Sequence, residues 1–346
     1  MKKEGFDSKT HGFSGIAKLS GKKLPIVDKV EISWMQEEVA RWNSFTKGNE
    51  VQWTVLSSRQ MKNVLATKKP VSLKPSYAKK YHVRSGVEAG LRFVHFNMDD
   101  DKIGYHKDPK QNAKNKALRC GIRMAFNWPA TIEKFYLGLG EAYPGFVPPG
   151  VDGHDPTMDR KSVTHNPKAA KALLAKHGWN AKNLPTLEYH RQGSVKNRQE
   201  FEHFRGSLRA IGYPKNKVKF KSYATFGDFS KATSKSKAML IPMGWGMDYP
   251  DAENTLGLFY GPNKSPGSNA SNYDNPEYNK LFAKAAIMQP GPERTKIYHK
   301  LSRIMTEDCP SITSYSRTQV YLWHKNAIIW PQRDVIGNIL KYLDTK

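Results

Sequence analysis

NPKAAKALLAKHG, residues 166–178, is the stretch that shows most plainly how this chain folds. Asn166 has a side chain of the type that caps a helix N-terminus, and Pro167 suits the first helical position. Ala and Leu fill the turns up to Gly178, which can adopt the left-handed conformation that ends a helix. The stretch therefore predicts one short helix with a defined start and end.

Helical and strand-like segments alternate on both sides of this helix. Apolar residues at helical spacing predict further helices over residues 37–45, 114–127, 199–211, 278–288 and 292–307, with Trp128-Pro129 closing the second of them. Strand patterns occur at residues 27–35, 51–56, 92–97, 186–190, 218–223, 238–243 and 311–323. This alternation predicts an α/β fold.

A candidate binding loop follows one of the predicted strands. Residues 238–243, AMLIPM, are continuously apolar, which is typical of a strand buried on both faces, with Pro242 at its end. The run leads into GWGMDYPD, residues 244–251. In open α/β sheets, ligands are bound by loops at the carboxyl ends of strands. The sequence therefore predicts a binding site in this loop.

The chain has 346 residues and a formal net charge of +25. A surplus of this sign can steer a protein towards nucleic acid, anionic lipid or an acidic partner. Lysines occur all along the chain and not in one arm or stripe, which indicates that most of them lie on solvated surfaces. One segment, residues 217–237, interleaves basic and aromatic residues as single-strand binders do. A basic nucleic-acid or polyanion-binding protein is therefore the alternative function.

The two cysteines, Cys120 and Cys309, are far apart and lack neighbours with metal-ligand spacing. The sequence predicts free buried thiols, and a single long-range disulfide stays open. His154, Asp155 and Asp159 lie in a segment that indicates a surface turn and no metal site. No cofactor is expected.

Motifs of catalysis are absent from the sequence. It contains no GxSxG elbow, Walker loop, HExxH or GxGxxG, so no catalytic residue is predicted and the protein is expected not to be an enzyme. The first 15 residues include no apolar h-region of the kind that a signal peptide has. No apolar stretch is long enough to span a bilayer.

Five passages, in this order and at these separations, resemble extracellular solute-binding protein family 5, which includes oligopeptide-, dipeptide- and nickel-binding proteins of ABC transporters. The resemblance covers roughly residues 20–340. The passages are LPIVDKVEISW (24–34), RFVHFNM (92–98), KALRCGIRMAFNW (116–128), NPKAAKALLAKHGW (166–179), and GWGMDYPDAENTL (244–256) with the segments 272–285 and 293–315 that follow it.

The resemblance implies an α/β fold of the type II periplasmic-binding-protein kind, a two-lobed clamshell that closes over a peptide. Family members are longer, so the N-terminal part of one lobe, the small extra domain and the signal peptide are expected to be missing. The implied lobes are residues 1–94 with 324–346, a partial hinge-side lobe, and residues 95–323, the C-terminal ligand-binding lobe.

The function implied by the resemblance is a solute-binding receptor of an ABC-type importer that captures oligopeptides or dipeptides through the α-amine. Its partners would be the peptide ligand and the membrane permease subunits, with no nucleic acid. The protein would be a monomer in the periplasm or cell envelope. The same family includes receptors for nickel complexes, haem and glutathione, and a truncated member without function is a further alternative.

Ligand-contacting residues are also implied by the resemblance. In the family, the loop that matches Trp245 to Asp248 supplies an aromatic wall and a carboxylate that pairs with the peptide's α-ammonium group. Trp245 is therefore expected to be the wall and Asp248 the amine anchor, with Tyr249 beside it. Some members carry Arg three positions before the Trp, where this chain has Pro242.

A second group of expected ligand contacts is the turn with Asn269, Asn272 and Tyr273, which matches an Asn/Tyr turn lining the ligand in the family. Polar turn chemistry explains these residue types equally well. An Asp in a Gly-rich loop and a Trp next to Gly are likewise common in turns and cores. Both interpretations stay open at this point.

Overall fold

The computed structural model describes residues 23–33, 35, 38–48, 53–88, 90–329 and 343–345. Helices and strands alternate along most of this length, so the predicted α/β class is confirmed. The chain divides into two compact units. Unit 1 holds residues 1–88, 135–139 and 318–346, and unit 2 holds residues 89–134 and 140–317.

The elements are numbered in chain order. The helices are α1 (Glu38–Lys47), α2 (Ser58–Val64), α3 (Pro75–Ala78), α4 (Pro109–Ala125), α5 (Trp128–Tyr136), α6 (Pro167–Lys176), α7 (Val195–Arg209), α8 (Phe226–Ser234), α9 (Ala252–Leu256), α10 (Pro276–Ala286) and α11 (Pro292–Asp308). The strands are β1 (Trp53–Val55), β2 (Leu65–Lys68), β3 (Val71–Leu73), β4 (Tyr81–Val87), β5 (Gly90–Phe96), β6 (Gly140–Ala142), β7 (Leu187–Gln192), β8 (Val218–Tyr223), β9 (Leu240–Gly246), β10 (Ser311–His324), β11 (Ala327–Ile329) and β12 (Leu343–Thr345).

Unit 1 is built around the second half of β10. Residues 318–324 of this strand pair antiparallel with β4, and residues 321–323 pair antiparallel with β1. Apolar side chains from α1, α2 and β10 pack together, with Phe45, Val64, Val320 and Leu322 fully buried. Burial of such side chains contributes about 1.5–3 kcal/mol each, so this cluster stabilises the unit.

Unit 2 contains a mixed sheet in which β5 lies between β10 and β9, and β7 lies between β9 and β8. β5 pairs antiparallel with β9, whereas β7 pairs parallel with both β9 and β8. The carboxyl ends of β7, β8 and β9 therefore share one edge of the sheet. The loop that follows β9 leaves from this edge, where the sequence predicts a ligand site.

The core of unit 2 is rich in aromatic residues. The ring centroid of Phe93 in β5 lies 5.2 Å from that of Phe146, and the ring centroid of Phe146 lies 4.6 Å from that of Phe259. Helices α10 and α11 close this cluster with Tyr278 and Tyr298, which are almost fully buried. The helices therefore hold the region around β9 in place from one side.

The helix predicted at residues 166–178 is confirmed as α6. Asn166 Oδ1 accepts the backbone N–H of Ala169 at 2.9 Å, and Gly178 adopts a φ of +73°. The predictions that correspond to α4, α7, α10, α11, β5, β8 and β10 are confirmed as well. Trp128-Pro129 does not end the helical region, because Trp128 begins α5 instead.

Two strand predictions are wrong in part. Residues 27–33 form bends and coil, with Val30 and Ile32 40% and 73% exposed, because no neighbouring strand pairs with them among the described residues. Pro242 lies inside β9 and not at its end. Its ring removes one backbone N–H from the strand, and the Pro242 carbonyl accepts a hydrogen bond from the guanidinium of Arg191 in β7.

The prediction of free thiols is wrong. Cys120 in α4 and Cys309, which caps the C-terminus of α11, form a disulfide with a Cα–Cα distance of 5.4 Å. The C-terminal end of α11 lies against α4, since Arg119 Nε donates to the Cys309 carbonyl at 3.1 Å and Lys116 pairs with Asp308 at 2.7 Å. This packing of distant segments brings the two sulfurs together.

Candidate functional site

The candidate site begins where β9 passes Arg92 of β5. Arg92 and Gly244 are register partners, and the guanidinium of Arg92 occupies the space that a Cβ at Gly244 would take. A side chain at this position would therefore displace Arg92. Gly246, two residues on, has open space around its missing Cβ. Gly244 is thus required by close packing, whereas Gly246 is not.

Trp245 at the end of β9 is joined to Asp248 through one amide. The indole Nε1 of Trp245 donates to Asn254 Oδ1 at 2.8 Å, and Asn254 Nδ2 lies 3.4 Å from Asp248 Oδ2. Trp245 is half-buried against the aromatic core, and Asn254 is buried. The structure therefore brings the predicted wall and the predicted anchor together, with Asn254 fixing the indole.

Helix α9, which carries Asn254, is tied firmly to α11. Its capping residue Asp251 accepts the N–H of Glu253 at 2.9 Å. The Asp251 carboxylate also accepts Arg294 Nη1 at 2.6 Å and the hydroxyl of Tyr298 at 3.1 Å. These charge-assisted bonds within a largely buried group are strong. The loop between β9 and α9 thus has two fixed ends.

Asp248 itself is exposed at the tip of this loop. Within the described part of the chain, no Lys or Arg forms an ion pair with it, although Asp251, Asp274 and Asp308 all have such partners. In a protein with a net charge of +25, a carboxylate without a cation is available to a positively charged ligand group.

Tyr249 is 41% exposed, and its hydroxyl donates to the carboxylate of Glu253. Burial of the ring edge and the neighbouring Glu253 raise the pKa of Tyr249 above its ordinary value. Its hydroxyl therefore stays protonated near neutral pH. The exposed face of the ring lies beside Asp248 in sequence, and the prediction that it contacts ligand stays a prediction.

The second predicted group occupies a buried polar network. Asn269 Nδ2 donates to the carbonyls of Tyr260 and Tyr273 at 3.0 and 2.9 Å. Asn272, with a φ of +55°, donates to Asn97 Oδ1 at 3.1 Å and to Ser236 at 2.8 Å. Both side chains are buried, and their amide groups form hydrogen bonds with other parts of unit 2.

Tyr273 is fully buried, and its hydroxyl donates to Asp308 at 2.6 Å. Burial and the neighbouring charge of Asp308 raise the pKa of Tyr273 far above its ordinary value. Burial pushes the pKa of Asp308 upwards, but hydrogen bonds from Lys116, Tyr273 and Asn275 outweigh that effect and hold the pKa below its usual value. Tyr273 therefore serves a buried ionic cluster.

The two predicted groups lie at opposite ends of β9. Asn97, the partner of Asn272, donates its N–H to the carbonyl of Met239 just before β9, whereas Trp245 is near the end of the strand. Six residue steps along a strand span roughly 20 Å. The structure does not bring Asn269, Asn272 and Tyr273 to the loop of Asp248, and their role towards a ligand stays a prediction.

Three residues near the site have no strong sequence signal. Asn254 lies inside a short helix, and its role depends on the indole that folds against it. Arg92 and Arg191 flank β9 from its two neighbouring strands. The sequence signal for Arg92 is Gly244, which leaves room for its guanidinium. The sequence signal for Arg191 is Pro242 inside a strand, whose carbonyl accepts its hydrogen bond.

Asp155 is buried instead of lying in an exposed turn, and it accepts hydrogen bonds from Thr157 and from Arg303, the latter at 2.8 Å. The prediction of a surface turn is therefore wrong for Asp155, whose carboxylate is buried and paired with Arg303. Among the described residues, His, Cys, Asp and Glu form no group of three or more suited to a metal ion. None of the described helices has the length and apolarity needed to cross a bilayer.

Residues 217–237, which suggested a nucleic-acid surface, use most of their aromatic rings internally. Phe229 is fully buried, and the Phe220 ring packs 5.2 Å from Phe201 with the Arg198 guanidinium 5.1 Å from its centroid. The Tyr223 hydroxyl lies 2.8 Å from Nδ1 of His190. Base stacking needs open aromatic faces. Phe226, which is 57% exposed, offers one, whereas the other three rings of this segment make contacts within unit 2.

The sequence of this chain is similar to those of known solute-binding proteins. The family model of bacterial extracellular solute-binding proteins, family 5, middle region, matches residues 14–267. Di/tripeptide-binding protein 1 of Pseudomonas aeruginosa is 27% identical over 207 residues, covering 59% of this chain and 37% of that protein. The alignment thus spans well under half the length of this relative.

Solved structures of similar proteins share the fold. The periplasmic binding protein DppA from Helicobacter pylori in complex with the peptide STSA has a TM-score of 0.71 at 19% identity, over 90% of this chain and 56% of that one. AgaA in complex with agropinic acid has a TM-score of 0.70 at 20% identity, over 94% and 62%. The predicted binding-protein fold and the predicted resemblance are both confirmed.

Proposed function

Because the chain belongs to family 5 of the bacterial extracellular solute-binding proteins, we propose that it captures peptides for an ABC-type importer through their free α-amine. In this role it is a receptor and carries out no catalysis. Its partners are the peptide and the membrane permease subunits of the importer. The proposed location is the periplasm or cell envelope, where receptors of this family meet their ligands.

The observation that carries the proposal is the carboxylate of Asp248. It stands exposed at the end of a loop whose two sides are fixed by Trp245 and by α9, and no Lys or Arg in the described segments neutralises it. An ammonium group is its natural counterpart. The relative from Pseudomonas aeruginosa is named for di- and tripeptides, and these carry such a group.

The indole of Trp245 supports the same ligand. Its Nε1 is bonded to Asn254, so the ring is held in one orientation beside the loop. A rigid aromatic surface gives contact area to a peptide at low entropic cost. Recognition of the amine fixes the ligand's register, while the ring accepts many side chains. The proposed receptor therefore reads the ligand's end and not its sequence.

The decisive experiment compares free and N-acetylated peptides. Calorimetry with a defined pool of tri- to pentapeptides is run on the wild-type chain, on Asp248→Asn and on Glu307→Gln, which neutralises an exposed carboxylate on α11. We expect acetylation or Asp248→Asn to weaken binding at least about tenfold, because a hydrogen bond between charged partners is lost. Glu307→Gln leaves the affinity unchanged.

The double comparison separates this anchor from a general electrostatic effect. If Asp248 holds the amine, acetylation has no further effect in Asp248→Asn. An equal loss on acetylation in both proteins would place the amine elsewhere. Binding of acidic polymers that collapses steeply with salt, with no binding of peptides, would contradict the receptor function. Agropinic acid serves as a non-peptide probe, because the similar protein AgaA is seen with it.

A further inference from the structure

Nearly half of the net positive charge of the chain lies in one substructure. Residues 160–221 contain 15 Lys and Arg against 3 Asp and Glu, a net charge of +12, whereas the whole chain carries +25. These residues form α6, β7, α7, β8 and their connections. No Asp or Glu occurs at residues 160–187 or 203–227. Acidic neighbours in sequence therefore cannot balance this charge.

Part of the charge gathers at the amino ends of β7 and β8. Lys182 lies in the segment that enters β7, and Lys215 lies in the segment that enters β8. Lys176 is the last residue of α6 and Arg209 the last of α7. All four side chains belong to exposed residues. We call these four residues the amino-edge cluster.

Hydrogen bonds hold the two entering segments together. Lys217 Nζ donates to the carbonyls of Lys182 and Leu184, both at 2.8 Å. The hydroxyl of Tyr213 donates to the Pro185 carbonyl at 2.5 Å. The segments are therefore neighbours in space, and the amino-edge cluster forms one surface instead of isolated charges.

The amino-edge cluster is not explained by contacts within unit 2. In the described part of the chain, none of its four members forms an ion pair with an acidic side chain. Lys176 and Arg209 do end helices, where backbone carbonyls favour cations. Lys182 and Lys215 lie outside any α-helix, so an interaction with the C-terminus of an α-helix does not explain these two lysines.

The surroundings of the amino-edge cluster indicate its partner. Trp179 and Tyr213, the aromatic residues nearest in sequence, are buried, so the cluster lacks the stacking rings that single-stranded nucleic acids use. Lysines without aromatic rings suit the phosphate groups of anionic lipids. The surface lies at the sheet edge opposite the loop of Trp245, because β7, β8 and β9 run parallel.

We propose that the amino-edge cluster docks unit 2 on a bilayer that contains anionic phospholipid headgroups. The choice of a membrane rests on the proposed function, since an importer's receptor delivers its ligand at a membrane. Each Lys or Arg near such a surface strengthens binding by about fivefold. Docking at the amino edge leaves the loop of Asp248, at the carboxyl edge, open to ligand.

The test uses vesicles of phosphatidylcholine with and without phosphatidylglycerol, at low and at physiological salt. The double variant Lys182→Gln/Lys215→Gln is compared with Lys280→Gln/Lys284→Gln, which removes the same charge from exposed positions on α10. We expect the wild-type chain to sediment only with phosphatidylglycerol vesicles, and the cluster variant to bind them about thirtyfold more weakly. The α10 variant binds nearly as the wild type does.

Three results would overturn the proposal: no preference for phosphatidylglycerol, equal loss in both double variants, or tighter binding to a duplex oligonucleotide than to vesicles. Thermal unfolding of both variants shows that they are folded. Peptide calorimetry on the same proteins keeps this proposal separate from the receptor function. Lys182→Gln/Lys215→Gln should bind peptides with the affinity of the wild type. If the receptor function is wrong, the wild-type chain binds no peptide, but the difference in vesicle binding between the two double variants is still observed.

Discussion

The indole N–H of Trp245 donates to the side-chain oxygen of Asn254 across 2.8 Å. The same amide turns its nitrogen towards Asp248, 3.4 Å away. One buried side chain thus orients both the ring and the carboxylate of the candidate site. Because Asn254 belongs to α9, whose cap Asp251 is bonded to Arg294 of α11, the geometry of the loop depends on the helical layer behind it.

Replacement of Asn254 tests this dependence. Asn254→Ala removes the acceptor of the indole N–H, so we expect a loss of about 1–3 kcal/mol in the free energy of unfolding and weaker binding of free peptides. Asn254→Asp retains an acceptor for Trp245 but places a second carboxylate near Asp248. Urea unfolding and calorimetry should therefore show higher stability for Asn254→Asp than for Asn254→Ala at neutral pH. A free energy of unfolding of Asn254→Ala equal to that of the wild type would mean that the indole bond contributes little.

Gly244 and Gly246 form a matched pair for a packing test. Gly244→Ala forces Arg92 to move, because the new methyl group overlaps its guanidinium, and overpacking of this kind costs about 1–3 kcal/mol. Gly246→Ala meets no atom within 4 Å and should change the free energy of unfolding by less than about 0.5 kcal/mol. Chemical denaturation of both variants gives the two values. Similar values would contradict the close approach of Arg92.

The disulfide between Cys120 and Cys309 closes a loop with a sequence separation of 189 residues. Its reduction frees the unfolded chain, so we expect a loss of about 2–4 kcal/mol in the free energy of unfolding. Urea titrations with and without reductant measure this loss. The double variant Cys120→Ser/Cys309→Ser is the control, since its transition must not respond to reductant. An unchanged wild-type transition would show that the bond does not limit unfolding.

Protonation of Asp308 makes the free energy of unfolding depend on pH. Burial raises its pKa, but the bonds from Lys116, Tyr273 and Asn275 lower it further, so the folded-state pKa lies below the ordinary value. The unfolded carboxyl titrates at about 3.9. The contribution is therefore complete above that pH and is lost as the pH falls through the folded-state pKa.

The variant Asp308→Asn isolates this effect. Its deficit in unfolding free energy relative to the wild type should be largest near neutral pH and should shrink below about pH 4. Urea midpoints measured across this range give the difference. Lys116→Met removes the cation 2.7 Å from the carboxylate and should reduce the acid sensitivity in the same direction. A deficit that stays constant with pH would contradict the assignment.

Local elements followed from the sequence where caps and periodicity agree. Asn166, Pro167 and Gly178 bound α6 as their side chains and backbone preferences require. The loop after β9 was also found from the sequence, because a buried apolar run before a Gly-rich turn indicates a strand end. Residues 27–33 were misassigned, since alternating apolar residues predict a strand only where a partner strand is present.

The candidate site was predicted in part. Trp245 at the end of β9 and Asp248 in the loop that follows are three residues apart, so a linear motif suffices to place them together. Asn272 and Tyr273 follow a similar pattern, yet their side chains are drawn into contacts with Asn97 and Asp308. Those partners are distant in sequence. A pattern in one segment cannot show which buried groups another segment will leave in need of a hydrogen bond.

By itself, the sequence determined most of the longer helices and strands, the solute-binding family, and the segment that carries Trp245 and Asp248. These depend on local backbone preferences and on short motifs. Only the tertiary structure decided that Cys120 meets Cys309, that Arg92 requires Gly244, and that lysines from separate segments share the amino edge of β7 and β8. Each of these is a contact between distant residues, and such contacts exist only once the chain has packed.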